Sequence, residues 1–162
     1  FFFKQKTAYE IPKRDWSSDV CSYDLEAKQR LDGWISTMRD AGRVKFAGAA
    51  PQGLYVAPHV IELPEARALR EEVFGPVLHV ARYKADALDA VIEAIAATGY
   101  GLTLGVHSRI DATVRRVRGR LPVGNVYVNR NMIGAVVGVQ PFGGSGLSGT
   151  GPKAGEIGRA HV

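Results

Sequence analysis

Hydrophobic residues recur along the chain at helical and at strand spacing in turn. Every third or fourth position is apolar in residues 27–42, which predicts an amphipathic helix that Gly42 ends. Its apolar face consists of Leu31, Trp34, Ile35 and Met38. The runs VKFAGAA and GLYVAPHVIE then predict short extended pieces around a Gly/Pro turn. The next stretch, ELPEARALREEVFGP, predicts a loop and a short helical turn that ends at Gly75-Pro76.

The second half of the chain repeats this alternation. VLHVARY predicts a strand, residues 85–101 an amphipathic helix with a stop at Gly99, and LTLGVHS a buried strand. Residues 111–121 predict a further helix and GNVYVNR a further strand, and a long Gly-rich loop follows from Asn131. Strands that alternate with helices are typical of an α/β layer with crossover connections. No linker divides the chain, so one domain is predicted.

The two ends of the chain differ from the rest. Residues 1–25 have neither helical nor strand periodicity, and KQKTAYEI and DWSSDVCSYDL resemble translated sequencing-adapter DNA. The tail EIGRAHV resembles the same adapter in the reverse sense. We therefore expect residues 1–25 and 156–162 to be adapter-derived, with disorder over 1–25, and residues 26–155 to be the natural segment. Cys21, the only cysteine, lies outside that segment and is not a candidate nucleophile.

Hydropathy argues against a membrane-spanning protein, and the net charge leaves a basic binding module open. No apolar run reaches the roughly 18 residues of a membrane span, and the cysteine content suits a reducing cytoplasm. The net charge of +5 permits a basic binding module, for which the four arginines within residues 115–120 are the candidate surface. Those arginines carry no interleaved aromatic residues for base stacking, which favours a solvated helix face and no nucleic-acid partner.

Three other patterns have residue types that could carry chemistry. Residues 144–149, GSGLSG, match G-x-G-x-x-G, but Pro141-Phe142 precede them and Pro152 follows, so a dinucleotide fingerprint is not predicted. The histidines of the natural segment have no metal-ligand spacing, and no metal is predicted; they are His59, His79 and His107. The motif EEVFGPV is either functional or an ordinary solvent-facing acidic pair beside a buried phenylalanine.

Two motifs together resemble the C-terminal part of an aldehyde dehydrogenase. EEVFGPV and QPFGGSGLSG occur in that family's order, with YGLTLGVHS and GNVYVN between them, and the resemblance covers nearly all of residues 26–155. RNMIGAVVGVQPFGGSGLSGTGPKAG is similar, more specifically, to the dehydrogenase half of the bifunctional proline utilisation A flavoproteins. The resemblance implies an α/β fold that is the C-terminal, incomplete part of an aldehyde dehydrogenase catalytic domain.

The resemblance also implies roles for five residues. Glu72 matches the glutamate that accepts hydrogen bonds from the nicotinamide ribose of NAD, and Phe74 matches an aromatic residue beside the nicotinamide riboside. Gly134 and Ala135 match the loop that anchors the substrate carboxylate through backbone N–H groups, which small residues permit. Phe142 matches an aromatic residue that packs against the aliphatic chain of L-glutamate γ-semialdehyde.

The implied activity belongs to a longer parent protein. That parent is an NAD-dependent dehydrogenase that oxidises L-glutamate γ-semialdehyde to glutamate in proline catabolism, a homo-oligomer, with FAD in a separate proline dehydrogenase half. The family's nucleophilic cysteine, general-base glutamate and Rossmann domain lie upstream of the matched part, so the chain alone is expected to be inactive. Two alternatives stay open: another aldehyde dehydrogenase with a different aldehyde substrate, disfavoured by Gly134-Ala135, and the basic binding module.

Overall fold

The computed structural model describes residues 21–22, 24–132 and 141–149. These residues form two compact units, which divide between Tyr83 and Lys84. The sequence has no linker at that point, and the single undivided segment that it predicts is therefore organised as two units. We refer to the described residues up to Tyr83 as the first unit and to those from Lys84 as the second unit.

The first unit is a helix and a three-stranded sheet, with a small strand pair beside them. Its elements are β1 (Cys21–Ser22), α1 (Leu25–Asp40), β2 (Val44–Ala47), β3 (Tyr55–Val56), β4 (His59–Leu63) and β5 (Val77–Ala81). The sheet has the order β2-β4-β5, with β2 antiparallel and β5 parallel to β4. The parallel pair requires a crossover, and residues 64–76 supply it with one 3₁₀ turn at Ala66–Ala68.

Helix α1 confirms the helix that the apolar spacing of residues 27–42 predicts. Asp24 caps it, because its Oδ1 accepts a hydrogen bond from the backbone N–H of Ala27 at 2.7 Å. Gly42 follows the helix at a φ of +67°, a left-handed conformation that glycine adopts without steric cost. Leu31 and Ile35 are buried together with Val56, as their helical spacing predicts.

The N-terminal residues depart in part from the predicted disorder. β1 pairs antiparallel with β3, with Cys21 opposite Val56, and Asp24 caps α1. The physical reason is that β3 offers unpaired backbone groups that a neighbouring extended segment can bond. The rest of residues 1–24 lies outside the described residues, as does the tail from residue 150. The adapter origin of both ends stays a prediction.

The second unit confirms the predicted crossover topology. Its elements are α2 (Leu88–Ala96), β6 (Tyr100–Gly101), β7 (Thr103–Val106), α3 (Asp111–Arg120), β8 (Asn125–Val128) and β9 (Ser145–Gly146). β7 and β8 are parallel neighbours, and α3 connects them. Every residue of β7 is buried, as expected of a strand covered on both faces. The buried core of this unit comprises Ile92, Leu104, Val106, Val117 and Leu121.

Two local predictions were wrong. The Gly-rich segment is not loop throughout, because Ser145–Gly146 form β9 and pair antiparallel with β6. Glu71 and Glu72 do not end a helical turn, because the 3₁₀ turn is complete at Ala68 and the chain is irregular from there to β5. Pro76 disfavours the helical region for the residue before it, which keeps the approach to β5 out of a helix. Among the described residues, no helix combines the length and apolarity that a membrane span needs.

Candidate functional site

Residues 71–76 form a loop that leads into β5 and contacts α1 through its middle residue, Val73. Val73 packs against the buried cluster of Leu31, Ile35 and Val56. On either side of Val73, Glu72 is half-buried and Phe74 is 38% exposed. This differs from an ordinary solvent-facing acidic pair beside a buried phenylalanine, because Phe74 is exposed and one of the two glutamates is half-buried.

Glu72 has a buried acceptor without a partner. Its Oε1 is inaccessible to solvent and has no hydrogen-bond partner among the described residues, while the side chain as a whole remains partly accessible. Burial raises the pKa of Glu72, and the positive charge of Arg30 acts in the opposite direction. An unsatisfied buried acceptor costs about 1–3 kcal/mol, which a ligand with hydroxyl donors can recover. The loop is therefore suited to a neutral, hydroxyl-bearing group.

Gly75 is required by the approach of α1. A Cβ at this position would lie 2.8 Å from both Cδ atoms of Leu31, closer than side chains pack. Leu31 is 1% exposed, so a Cβ at Gly75 would force its side chain to shift within the buried cluster. The glycine of the EEVFGPV motif therefore allows the loop to lie directly on the helix.

Of the predicted substrate contacts, only Phe142 is described, and it belongs to the second unit. Phe142 is partly buried, and Pro141 beside it accepts a hydrogen bond at its carbonyl from Nδ2 of Asn125 at 3.2 Å. Gly134 and Ala135 lie outside the described residues. Glu72 and Phe74 share one loop of the first unit. They lie two residues apart in the sequence, so their closeness was already given there, and their roles as cofactor contacts stay a prediction.

The glycines of GSGLSG serve close backbone packing. The backbone N–H of Leu147 donates to the carbonyl of Gly99 at 2.8 Å, and that of Gly101 donates to Oγ of Ser148 at 3.2 Å. A Cβ on Gly144 would collide with the carbonyl of Ser148. Residues 144–149 thus form a strand and a turn, not the strand-to-helix turn of a dinucleotide fingerprint.

The arginine-rich helix α3 is partly neutralised by α2. Arg116 forms an ion pair with Asp89, and Arg120 pairs with Asp89 at 2.5 Å and with Glu93 at 3.2 Å. These side chains are exposed enough that the pairs add little stability. The ion pairs nevertheless neutralise part of the positive surface charge that binding to a nucleic acid would need. Within the part of the chain that the structure describes, no cluster of His, Cys, Asp or Glu could hold a metal ion.

The sequence reasoning missed two side-chain arrangements. Nε2 of His79 accepts a hydrogen bond from Nε1–H of Trp34, so His79 is not merely a residue within a strand. Asn129 bonds both backbone groups of Ser108 across the ends of β7 and β8. No sequence pattern indicates the hydrogen bond between Trp34 and His79. The Asn could have been suspected only from its tolerance of left-handed backbone.

The model of the aldehyde dehydrogenase family matches residues 13–161. The chain is 57% identical over 141 residues to the bifunctional protein PutA of Escherichia coli K12, and the match covers 82% of this chain and 11% of that protein. It is 40% identical over 136 residues to a 1-pyrroline-5-carboxylate dehydrogenase of Geobacillus kaustophilus, covering 82% of this chain and 26% of the relative.

Solved structures agree with these sequence matches. A mutant of Bradyrhizobium japonicum proline utilization A matches with a TM-score of 0.77 and 66% identity, over 82% of this chain and 14% of that one. A mutant of the Thermus thermophilus 1-pyrroline-5-carboxylate dehydrogenase matches with a TM-score of 0.70 and 39% identity, over 82% and 26% of the two chains. The chain therefore corresponds to a limited part of each of these relatives.

Proposed function

Because the chain belongs to the aldehyde dehydrogenase family, we propose that it is part of an NAD-dependent enzyme that oxidises L-glutamate γ-semialdehyde to glutamate in proline catabolism. The chain spans about 11% of the PutA relatives and 26% of the 1-pyrroline-5-carboxylate dehydrogenases, so the activity is that of a longer protein. The names of these relatives support this substrate over another aldehyde. A cytoplasmic location, a homo-oligomeric parent and FAD in a proline dehydrogenase half belong to the same proposal.

The observation that carries the proposal is the Glu72 side chain, which stays partly accessible while its buried Oε1 has no hydrogen-bond partner among the described residues. A ribose diol offers two O–H donors, and a carboxylate accepts from both. The residues present therefore fit the nicotinamide ribose of NAD: Glu72 would hold the hydroxyls, and the exposed ring of Phe74 would cover the adjacent riboside. When bound, NAD supplies the hydride acceptor for aldehyde oxidation.

The second unit would supply the substrate contacts. We assign Phe142 to the aliphatic chain of the semialdehyde, and the backbone of Gly134 and Ala135 to its carboxylate. The hydrogen bond from Asn125 to the carbonyl of Pro141 supports this assignment, because it holds the chain immediately before Phe142. No residue of the chain is assigned as nucleophile or general base, so the chain by itself is expected to give no NADH with NAD and the semialdehyde.

A chimera tests the proposed activity. Residues 26–155 replace the matching segment of Escherichia coli PutA, and NADH formation from L-glutamate γ-semialdehyde is measured. We expect an active chimera in which Glu72→Gln raises KM for NAD about 10-fold or more, since a hydrogen bond to a charged group contributes about 1.5–3 kcal/mol. Glu71→Gln is the matched control, because Glu71 is the exposed neighbour. A folded but inactive chimera, or equal effects of both substitutions, would contradict the proposal.

A further inference from the structure

Helix α1 holds the Glu72 loop at two points on either side of Phe74. Val73 packs into the cluster that contains Leu31 and Ile35. Gly75 lies directly on Leu31, since a Cβ there would be 2.8 Å from both Cδ atoms. At the second of these points, the distance between loop and helix is set by the end of the Leu31 side chain.

The same turn of α1 carries the charge that opposes the burial of Glu72. Arg30, the residue before Leu31, lowers the pKa of Glu72 against the larger, raising influence of burial. Arg30 is exposed and flexible, whereas Leu31 is buried against Gly75, so burial of the carboxylate is the influence that this contact can set. The larger of the two influences on the carboxylate therefore depends on how the loop packs on α1.

We propose that Leu31 is a positioning residue for the Glu72 carboxylate: through its contact with Gly75, it sets how deeply the carboxylate is buried. The contact itself stands on geometry alone. Its consequence for the binding of NAD rests on the proposed function. It extends the cofactor site beyond the EEVFGPV motif to a helix that lies some 40 residues earlier in the chain.

The direct test is a titration of Glu72 in the full 162-residue chain. Side-chain carboxyl ¹³C shifts of labelled Glu are followed against pH, and Glu72→Gln identifies the resonance. Gly75→Ala should lift the loop from α1. Because burial is the larger influence, the pKa of Glu72 should then fall toward its ordinary value of 4.5.

A compensating substitution distinguishes a positioning role of Leu31 from a general destabilisation of the fold by Gly75→Ala. Leu31→Val removes both Cδ atoms and makes the side chain one carbon smaller. Gly75→Ala adds one carbon on the other side of the contact, so the double variant Gly75→Ala/Leu31→Val keeps the total volume nearly constant. The pair should restore the wild-type pKa of Glu72. Ile35→Val is the matched control, since it also removes one carbon from the same cluster and Ile35 is not among the atoms nearest to Gly75. It should leave the pKa of Glu72 unchanged.

The inference is overturned if Gly75→Ala shifts the pKa of Glu72 no more than Ile35→Val does, or if the paired substitution fails to restore it. Should Gly75→Ala not fold, Leu31→Val alone carries the test, because the loop can then settle closer to α1 and the pKa of Glu72 should rise. In the chimera, Gly75→Ala should raise KM for NAD more than it lowers kcat. An inactive parent chimera would count against the proposed function only, since the titration does not use NAD.

Discussion

Nε1–H of Trp34 on α1 donates a hydrogen bond to Nε2 of His79 on β5 at 3.0 Å. The two rings meet edge to face, with centroids 5.8 Å apart and planes at 62°. Because Nε2 accepts this bond, the neutral imidazole carries its proton on Nδ1. Burial lowers the pKa of His79, so the folded chain favours this neutral form.

Stability should therefore decrease in mild acid. The unfolded chain titrates His79 near 6.5, and the folded chain titrates it at lower pH. Between these two values the unfolded state binds more protons, so the contribution is fully present above pH 6.5 and is lost as pH falls through the folded pKa. Urea unfolding measured at steps from neutral pH to pH 5 should show this decrease.

Substitutions identify the group responsible for that decrease. His79→Phe should flatten the profile over this interval, whereas the same change at the exposed His107 should leave the decrease in place. Trp34→Phe keeps an aromatic ring but removes the donor, and it should cost about 1 kcal/mol at neutral pH. A profile that His79→Phe leaves unchanged would show that another group titrates.

Asn129 closes the carboxyl ends of β7 and β8. Its Oδ1 accepts from the backbone N–H of Ser108 at 2.9 Å, and its Nδ2 donates to the Ser108 carbonyl at 3.0 Å. Its φ of +53° is the one positive value for a non-glycine residue among those described. Both Asn129→Gly and Asn129→Ala should destabilise the chain, and Ala by about 1 kcal/mol more, because only Ala strains the left-handed backbone. Chemical denaturation decides this, and equal losses would contradict it.

The close approach of Gly124 to Gly143 should make a single methyl group intolerable. A Cβ on Gly124 would collide with the carbonyl oxygen and carbon of Gly143, which belong to backbone and cannot turn aside. We expect Gly124→Ala to lower the unfolding free energy by about 3 kcal/mol or more. Gly119→Ala is the control, since nothing lies within 4 Å of a Cβ in that helix, and it should stabilise by about 0.5–1 kcal/mol. Thermal melts of the two variants should move in opposite directions.

The ion pairs between α2 and α3 should contribute little. Asp89 faces both Arg116 and Arg120, and all three side chains are substantially exposed. Asp89→Asn should change the unfolding free energy by less than about 1 kcal/mol, and less still in high salt.

A titration of the chain with duplex DNA at low salt should show no binding. Salt-dependent binding that Arg115→Gln weakens would instead restore the basic-module alternative.

Local patterns predicted the elements well, and predicted the environment of single side chains poorly. The spacing of Leu31 and Ile35 placed α1 correctly, because burial of a helix face leaves a period in the sequence. The exposure of Phe74 reversed the ordinary expectation for an aromatic residue. It follows from the packing of Val73 on α1, a contact between segments far apart in the chain.

By itself, the sequence determined the alternation of helices and strands, the parallel crossover and the resemblance to aldehyde dehydrogenases. These depend on periodicity and on short motifs, which are local properties of the chain. Only the tertiary structure decided that Glu72 and not Glu71 is half-buried, that Gly75 lies on Leu31, and that burial lowers the pKa of His79. Desolvation and steric contact depend on which distant residues surround a group, and that information exists only once the chain has folded.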